Sequence, residues 1–335
     1  MPKKINILFS AQEINRTSWD SLVEHSSVTS WFQTPAAYVF FYSLSFVDAF
    51  CIAVENDGVL KGLVVGFIQK DGGRIKQFFS RRAIINGGPL LTDDITDEEL
   101  ETLLIATKQT LKHKAIYIET RNFNDYSHWC KSFEKCGFSY ETHLNFHVDC
   151  TEWEKVENNI GKHRKRYIRR SFNGGVTIVE YPTEEHVRAL YEILADLYKT
   201  KIKTDLYPLS FFLNLFHSPF SKFIVVEYKG QVVGGSVCVL LEGRTVYEWF
   251  ACGRDKVYKN IYPSSVTKYA GMRFANENHY SVFDMMGAGK PDEKYGVRDF
   301  KAEFGGELVE FGRFKNICAP LLYKIGTMGV RIMKM

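Results

Sequence analysis

The sequence lacks the signatures of several protein classes. Its seven cysteines, an odd number, include no CxxC pair, so neither a disulfide framework nor a zinc site is expected and a reducing compartment is favoured. No apolar run approaches the roughly 18 residues of a membrane span. The first 15 residues hold only a short apolar run, far too short for a signal peptide. These absences predict a soluble, cytoplasmic protein.

Motifs for several kinds of cofactor chemistry are also missing. The segment GAGK at 287–290 has neither the spacing nor the Ser/Thr of a Walker loop, and it lacks the third glycine of a dinucleotide fingerprint. No Ser-His-Asp or Cys-His arrangement is evident from spacing. We therefore expect no cofactor and no metal ion. A net charge of +4 is too small for a general nucleic-acid-binding protein, so no DNA partner is expected and any basic function must be local.

The chain does contain a weak internal repeat, and its 335 residues suffice for two domains. Residues 54–66 and 226–238 share Val, Glu, Gly and Gly at matching places, 172 positions apart. In both segments an apolar strand, a glycine turn and a second apolar strand form a β-hairpin pattern. Each hairpin is followed by a further turn, at 71–74 and at 242–244, and then by another strand.

The order of the following elements favours a duplicated domain. A helical period follows in each half, at 98–112 and 264–278, and then a short β-rich segment, at 115–122 and 280–289. This order predicts an α/β (α+β) fold with mixed, largely antiparallel sheets. The two predicted domains are residues 1–160 and residues 161–335, the second carrying the active site.

A strongly basic segment lies at the predicted domain junction. Seven of the nine residues in Lys162–Arg170 are basic, and no acid interrupts them. As a helix over 161–172, the segment would carry Lys162, Arg166, Arg169 and Arg170 at spacings of three and four, on one cationic face. Runs of charge are usually solvated helix faces, but this density favours binding of phosphate groups.

The segment Gly287–Gly306 combines a glycine-rich turn with a cation between aromatic residues. If its second half is helical, Phe300 and Phe304 are buried, while Arg298 and Lys301 share a flank three residues apart. Two interpretations are equally supported. Lys301 either extends over the aromatic rings with its ammonium in water, or it forms part of an anion site.

A strand predicted over 245–253 brings further candidates. Tyr247 and Trp249 are candidate substrate-binding residues in an aromatic run. Glu248 points to the opposite face from Trp249, because side chains alternate along a strand. It is a candidate general base, although a carboxylate in such a place is more often a partly exposed part of the sheet.

Three segments resemble motifs of the Fem-type aminoacyltransferases. The run HRKRYIRRSFNGGV at 163–176 is similar to their basic helix, and DFKAEFGGELVEF at 299–311 is similar to their closing Phe-Lys motif. The segment WFQTPAAYVFFYS at 31–43 is similar to their N-terminal opening. The resemblance implies two tandem acetyltransferase-like (GNAT) domains, in agreement with the repeat.

The resemblance also implies a reaction and its participants. An aminoacyl group would pass from aminoacyl-tRNA to an amine of a lipid-linked muropeptide or another envelope precursor, forming an amide. Lys301 would be the catalytic residue, near a phosphate, and Lys162, Arg166 and Arg169 would bind phosphates. An activated ester needs mainly orientation of the amine and stabilisation of charge. The other predicted substrate-binding residues are Arg298, Tyr247, Trp249 and Phe300.

Two departures from the resemblance leave alternatives open. No heptad stretch corresponds to the coiled-coil arm of the long Fem enzymes. The segment 253–271 lacks the glycine pair that marks the pyrophosphate site in GNAT enzymes, which argues against an acyl-CoA donor. One alternative is an N-acyltransferase that uses acyl-CoA or an acyl carrier protein on an amino sugar or polysaccharide precursor. The other is a non-catalytic module that binds a phosphate-containing ligand.

The last segment of the sequence, from Ile317, is apolar with three interspersed cations, Lys324, Arg331 and Lys334. We expect a packed helix there. A peripheral contact with the membrane surface is the alternative.

Overall fold

Two β-sheets organise the chain, one in each of two units, in a computed structural model that describes residues 4–69 and 80–334. Unit 1 comprises the residues up to His143 together with those from Glu310 onward. Unit 2 comprises Leu144–Val309.

Within the described residues, the sheet of unit 1 has eight strands. They are β1 (Ile5–Leu8), β2 (Val47–Asn56), β3 (Val59–Gln69), β4 (Arg82–Gly87), β5 (Leu90–Leu91), β6 (Tyr117–Asn122), β7 (Ser139–Glu141) and β15 (Arg313–Ile317). Their order is β1-β2-β3-β4-β6-β15-β7, with β5 paired to β3. The β4–β6 pair is parallel, whereas β2 and β3 form an antiparallel hairpin.

Five helices accompany this sheet in the described part of unit 1. They are α1 (Arg16–His25), α2 (Pro35–Tyr42), α3 (Asp97–Leu111), α4 (Cys130–Lys135) and α11 (Pro320–Lys334). A capping box starts α3: the Thr96 hydroxyl accepts the Glu99 N–H, and the Glu99 carboxylate accepts the Thr96 N–H at 2.8 Å. The buried face of α3 packs over the sheet in the main core of the unit.

The sheet of unit 2 has seven strands in the order β14-β8-β13-β12-β11-β10-β9. These are β8 (Leu144–Asp149), β9 (Val176–Val179), β10 (Ser221–Tyr228), β11 (Gln231–Leu241), β12 (Thr245–Gly253), β13 (Val282–Gly287) and β14 (Glu307–Glu310). The β12–β13 pair is parallel, as β4–β6 is in unit 1.

The helices of unit 2 lie between these strands in the sequence. They are α5 (Trp153–Asn159), α6 (Lys162–Asn173), α7 (Glu184–Leu197), α8 (Leu209–Phe216), α9 (Pro263–Glu277) and α10 (Gly296–Ala302). One core of buried side chains joins α5, α6 and α9 to the sheet, and it includes Phe146, Ile168, Met272 and Phe283.

The predicted duplication is confirmed in its details. The two repeat segments form the hairpins β2–β3 and β10–β11. Both two-residue turns have left-handed backbone throughout, as a type I′ turn requires: φ is +49° at Asp57, +80° at Gly58, +52° at Lys229 and +71° at Gly230. The register shifts directly after the matching valine in each hairpin, Val54 or Val226. The same bulge is thus built twice.

The predicted mixed, largely antiparallel α/β fold is confirmed as well. The expected helices at 98–112 and 264–278 correspond to α3 and α9, each shifted by one residue, and the later β-rich segments correspond to β6 and β13. The turn expected at 71–74 lies outside the described residues.

The division of the chain differs from the predicted boundary between residues 160 and 161. Strand β8 precedes that boundary but pairs with β13 of unit 2. Strand β15 follows it but pairs with β6 and β7 of unit 1, where the Phe314 ring stacks on Phe133 at 3.9 Å. Unit 2 is therefore an insertion in the sequence of unit 1.

The last helix, α11, forms where a packed helix was expected, but its described side chains, up to Met328, are packed on one side only. Tyr323 contacts the Tyr117 ring, with ring centroids 5.4 Å apart. In contrast, Leu321 is 73% exposed, Ile325 47% and Met328 64%. Across the described residues, no helix combines the length and apolar character needed to cross a bilayer.

Candidate active site and phosphate-binding surface

The basic segment forms α6, one residue displaced from the predicted range, and it is attached to unit 2 by its uncharged residues. Ile168 is buried, and the Tyr167 ring stacks on Tyr262 at 4.0 Å. The Ser171 hydroxyl accepts the N–H of Tyr262. At the C-terminal end, the N–H of Gly174 donates to Arg170 O at 2.9 Å. These contacts fix the helix with its cationic face toward solvent.

The predicted phosphate-binding residues Lys162, Arg166 and Arg169 are all exposed on α6. Arg166 Nη2 lies 3.1 Å from His163 Nδ1. Arg164 is different, because its Nη2 forms an ion pair with Glu303 at 3.0 Å. In the described part of the chain this is the one ion pair made by a cation of α6, so the charge of the exposed residues is not balanced locally.

A groove of about 440 Å³ continues the cationic face of α6. Arg170, Asn173 and Tyr228 line it, together with Lys259 and Asn260 from the segment before α9. We call it the basic groove. No acid lies among its lining residues. Guanidinium, ammonium and amide groups around one concavity form a site suited to phosphate oxygens.

The sequence placed Arg170 on the cationic face without assigning it as a binding residue, and it did not single out Lys259. Arg170 belongs to the same helical row as Lys162 and Arg166, with steps of four residues, so the spacing itself contained a signal. The sequence around Lys259 contains no such signal, because only the fold places this segment beside the end of α6.

Lys301 lies on α10 and is only 7% exposed. Its ammonium donates to three consecutive carbonyl oxygens at the end of β13: Met285 O at 2.5 Å, Met286 O at 3.2 Å and Gly287 O at 2.8 Å. Burial lowers the pKa of Lys301 to about 8, although Asp284 opposes the change. The interpretation in which the ammonium extends into water is therefore wrong.

The backbone that Lys301 holds is unusual. Met286 has a φ of +57°, in the left-handed region that a residue with a side chain rarely adopts. The Asp284 carboxylate accepts the Met286 N–H at 2.6 Å. Asp284 and Lys301 together therefore fix a strained turn from its two sides.

The second carboxylate oxygen of Asp284 lies 3.3 Å from His147 Nε2. Burial pulls the pKa of His147 downward, but Asp284, with a smaller effect from Glu307, outweighs burial and raises it. His147 and Asp284 are register partners on β8 and β13.

A buried ion pair lies on the neighbouring strand. Glu248 on β12 pairs with Lys268 on α9, and the two residues are 4% and 3% exposed. This pair matches neither of the two roles considered for Glu248 from the sequence. Its carboxylate is not a partly exposed group of the sheet, and it is paired with a buried lysine where a general base was considered. Burial lowers the pKa of Lys268 well below its ordinary value, and the positive charge of Lys301 adds to the effect.

These charged groups lie where two strands part. β12 and β13 pair only from Thr245 with Val282 to Tyr247 with Asp284. Beyond Tyr247 and Asp284 the strands continue without pairing to each other, and the carbonyls of Met285, Met286 and Gly287 on β13 accept from Lys301 instead. Glu248 and the turn held by Lys301 come directly after that last pair.

The remaining predicted substrate-binding residues lie on two elements: Tyr247 and Trp249 on β12, and Arg298 and Phe300 on α10. Tyr247 is 3% exposed, and burial raises the pKa of its hydroxyl. Trp249 is half-buried and packs against Phe211, with ring centroids 5.3 Å apart. Arg298 donates to the carbonyls of Lys290 and Glu293, which closes the glycine-rich loop before α10.

Phe300 links the Phe-Lys segment to the basic helix. Its ring lies 4.5 Å from the guanidinium carbon of Arg164, a cation–π distance. The ion pair between Arg164 and Glu303 reinforces this contact. The structure thus brings α6 and α10 together, and Arg164, which was not predicted, makes the connection.

The starts of α9 and α3, where GNAT enzymes bind pyrophosphate, are closed by internal carboxylates. Pro263 has no N–H, and the Ser264 N–H donates to Asp255 at 3.0 Å. The first turn of α3 contains Asp97, Glu98 and Glu99, with Glu99 in the capping box. A helix start occupied by carboxylates repels a further anion. Within the described residues, no group of three His, Cys, Asp or Glu side chains could hold a metal ion.

Comparison with known proteins supports the assignment read from the motifs. Residues 219–328 match the model of the FemAB family. No curated protein sequence is significantly similar to the chain.

Among solved structures, the chain is similar to FemX, with a TM-score of 0.70 and 14% identity over 97% of this chain and 99% of that one. It is also similar to a tandem GNAT protein from the clavulanic acid biosynthesis pathway, with a TM-score of 0.60 and 9% identity over 94% and 98%. A third similar structure is the C-terminal domain of a putative lysylphosphatidylglycerol synthetase from Agrobacterium fabrum, with a TM-score of 0.59 and 12% identity over 95% of each chain.

These matches confirm the Fem-type resemblance and the tandem GNAT fold. They also support the expected class of enzyme, an acyltransferase.

Proposed function

We propose that this Fem-type chain transfers an aminoacyl group from aminoacyl-tRNA to an amine of a peptidoglycan or other cell-envelope precursor. The observation that carries the proposal is the cationic surface formed by α6 and the basic groove. Lys162, Arg166 and Arg170 form one row that leads into the groove, where Lys259 adds a further charge. A row of unbalanced cations suits a ligand with several phosphates in sequence, as RNA has.

The closed starts of α9 and α3 favour this donor over acyl-CoA. A coenzyme A pyrophosphate at the usual GNAT position would meet the carboxylate of Asp255 in unit 2, or those of Asp97 and Glu99 in unit 1. Both helices would repel it. The phosphates of tRNA can instead be bound by side chains in the basic groove.

The proposed reaction needs no cofactor. The acceptor amine attacks the ester carbonyl carbon, a C–N bond forms, and the C–O bond to the tRNA ribose breaks. The amine loses a proton, and the released ribose hydroxyl gains one. Because the ester is already activated, orientation of the amine and stabilisation of the developing oxyanion are the main requirements.

We assign Lys301 a positioning role in this reaction. Its ammonium already has three carbonyl acceptors and is buried, so it holds the end of β13 in place where β12 and β13 part, and it does not approach the ester itself. Because aminoacyl-tRNA is made in the cytoplasm, the proposal places the reaction there.

The similarity to a lysylphosphatidylglycerol synthetase domain favours an aminoacyl group as the one transferred. The similarity to a tandem GNAT protein favours the second candidate, an N-acyltransferase that uses acyl-CoA or an acyl carrier protein on an amino sugar or polysaccharide precursor. The two candidates share a fold and differ in the donor.

A donor competition experiment separates them. Purified protein is incubated with a pool of tRNA charged with labelled amino acids and with lipid-linked muropeptide, and the muropeptide is analysed by mass spectrometry for an added aminoacyl residue. We expect transfer, competition by uncharged tRNA, and no heat of binding when coenzyme A is titrated. Tight coenzyme A binding without transfer from tRNA would establish the second candidate. If the protein bound RNA but transferred no group to any acceptor, the result would support a non-catalytic module that binds a phosphate-containing ligand.

A further inference from the structure

We propose that α11 is an interfacial helix that binds an anionic lipid surface through an exposed apolar stripe. The stripe consists of Leu321, Ile325 and Met328, which are 73%, 47% and 64% exposed. Their spacing of four and three residues places them on one face of the helix. We call this face the apolar stripe. The proposal concerns a surface of unit 1 and does not depend on the transfer reaction.

The apolar stripe is not needed to hold α11 on its unit. Among the described residues of α11, up to Met328, those that face the protein include Leu322 and Tyr323, both half-buried, and the Tyr323 ring packs edge-on against Tyr117. Lys315 adds a cation–π contact to the Tyr323 ring from β15. Because the helix is attached through the opposite side, the stripe remains available to a partner while the fold stays intact.

Charge identifies the kind of partner. Between Phe311 and the end of the sequence there is no acidic residue, whereas α11 contains Lys324, Arg331 and Lys334. At about 100° per residue, Lys324 lies roughly 60° from Leu321 around the helix, at the edge of the stripe. An apolar face bordered by cations, with no acid on the helix, is the pattern of a helix that lies in the interface of an anionic membrane.

A second copy of the chain is a poorer partner for this face. If two apolar stripes packed together, Lys324 of each copy would be brought near the other, and α11 offers no carboxylate to balance them. A bilayer supplies both the apolar layer for Leu321 and the anionic headgroups for Lys324. The long lysine side chain can reach those headgroups while its methylene groups stay beside the stripe.

The proposal is tested with full-length protein and sedimented vesicles. One set of vesicles contains only phosphatidylcholine, and the other also contains phosphatidylglycerol. We expect binding to the second set, weakened by added salt because the charge contribution is screened. The double variant Leu321→Ser/Ile325→Ser should partition about tenfold more weakly. Lys324→Glu should weaken binding to anionic vesicles by at least about fivefold.

A matched control comes from unit 2. Val257 is 60% exposed and uncharged, so Val257→Ser should leave vesicle binding unchanged. Circular dichroism and light scattering confirm that each variant is folded and report its oligomeric state. Absence of binding by wild type, or equal binding to both vesicle types, overturns the proposal. So does a wild-type dimer that the double variant converts to monomer, because the stripe would then be covered by a second copy.

The same variants distinguish this surface from the proposed function. With a water-soluble acceptor, Leu321→Ser/Ile325→Ser should transfer aminoacyl groups at the wild-type rate. If the double variant loses vesicle binding but transfers normally, the result supports lipid binding by the apolar stripe and says nothing against the proposed function. If wild type binds vesicles normally but transfers nothing, only the proposed function is contradicted.

Discussion

Lys268 on α9 meets Glu248 on β12 inside unit 2, where neither residue is more than 4% exposed. Such a pair is weak support for stability as long as both members are present, because each lost its hydration on folding. Removing one member is a different matter, since a charge then stays buried without a partner. The pair therefore fixes how the helix sits on the strand at the point where β12 and β13 separate.

The first prediction concerns this pair. Lys268→Met should lower the free energy of unfolding by about 3–5 kcal/mol, because it leaves the Glu248 carboxylate buried alone. The double variant Lys268→Met/Glu248→Leu should recover most of that loss, as apolar residues of similar size fill the space. Urea unfolding measures both. The control Lys155→Met breaks an exposed pair with Glu152 and should not change stability. A double variant as unstable as the sum of both single changes would contradict the prediction.

The second prediction separates a positioning role of Lys301 from direct catalysis. Lys301→Met keeps an unbranched side chain, one atom shorter, but leaves three backbone carbonyls without their donor. We expect a loss of about 2–4 kcal/mol in the free energy of unfolding together with loss of transfer activity. Lys301→Arg should not restore either property, since the larger guanidinium does not fit a buried site made for an ammonium.

The control for this experiment is Lys294→Met, an exposed lysine in the loop before α10. It should change neither stability nor activity. If Lys301→Met lost turnover while its unfolding curve matched that of wild type, Lys301 would act directly on the substrate, and the positioning role would be wrong.

The third prediction is a pH dependence. The pKa of Lys301 is lowered by burial to about 8 from the ordinary 10.5. Below about pH 8 both the folded and the unfolded chain hold this proton. Between about pH 8 and 10.5 the unfolded chain holds more of it, so stability rises with pH relative to a variant without the lysine. Across this window the free energy of unfolding of wild type should rise relative to that of Lys301→Met. Each pH unit contributes about 1.36 kcal/mol, so the rise is at most about 3 kcal/mol.

Urea unfolding of wild type and Lys301→Met at a series of pH values tests this gain. Groups present in both chains cancel in the difference. A difference that stays constant from pH 7 to pH 11 would mean that the lysine keeps its ordinary pKa in the folded chain.

The fourth prediction concerns the cationic surface. Arg166→Glu and Arg170→Glu should each weaken tRNA binding, and each should reduce the slope of the logarithm of affinity against the logarithm of salt concentration by about one or two. Filter binding over a range of salt concentrations measures affinity and slope together. Lys131→Glu, an exposed charge reversal on α4 of unit 1, is the matched control. Equal effects from all three variants would indicate attraction by net charge alone, without a defined surface.

The sequence was most informative for features that depend on interactions between neighbouring residues. The two-residue turns at Asp57-Gly58 and Lys229-Gly230 need left-handed backbone, which glycine tolerates, so both hairpins could be predicted. The basic helix and the aromatic strand 245–253 were likewise predicted from spacing within one element. Each depends on interactions between residues close together in the chain.

What escaped prediction depends on contacts between distant segments. Nothing around Lys301 in the sequence indicates that the end of β13 will present three carbonyls to it. Lys268 is placed like any polar residue of an amphipathic helix, and only the packing of α9 over β12 makes it a buried partner of Glu248. The predicted domain boundary failed to match the two units for the same reason, since the five residues of β15 pair with strands far earlier in the chain.

The place of β15 in the sequence sets an order for biosynthesis. A ribosome makes all of Leu144–Val309 before it makes Arg313–Ile317, the strand that fills the gap between β6 and β7. Until Phe314 arrives, the Phe133 ring lacks its stacking partner and β6 has an open edge. Synthesis of unit 1 therefore begins before that of unit 2 but ends after it. Unit 2 can form its sheet from one continuous stretch of chain.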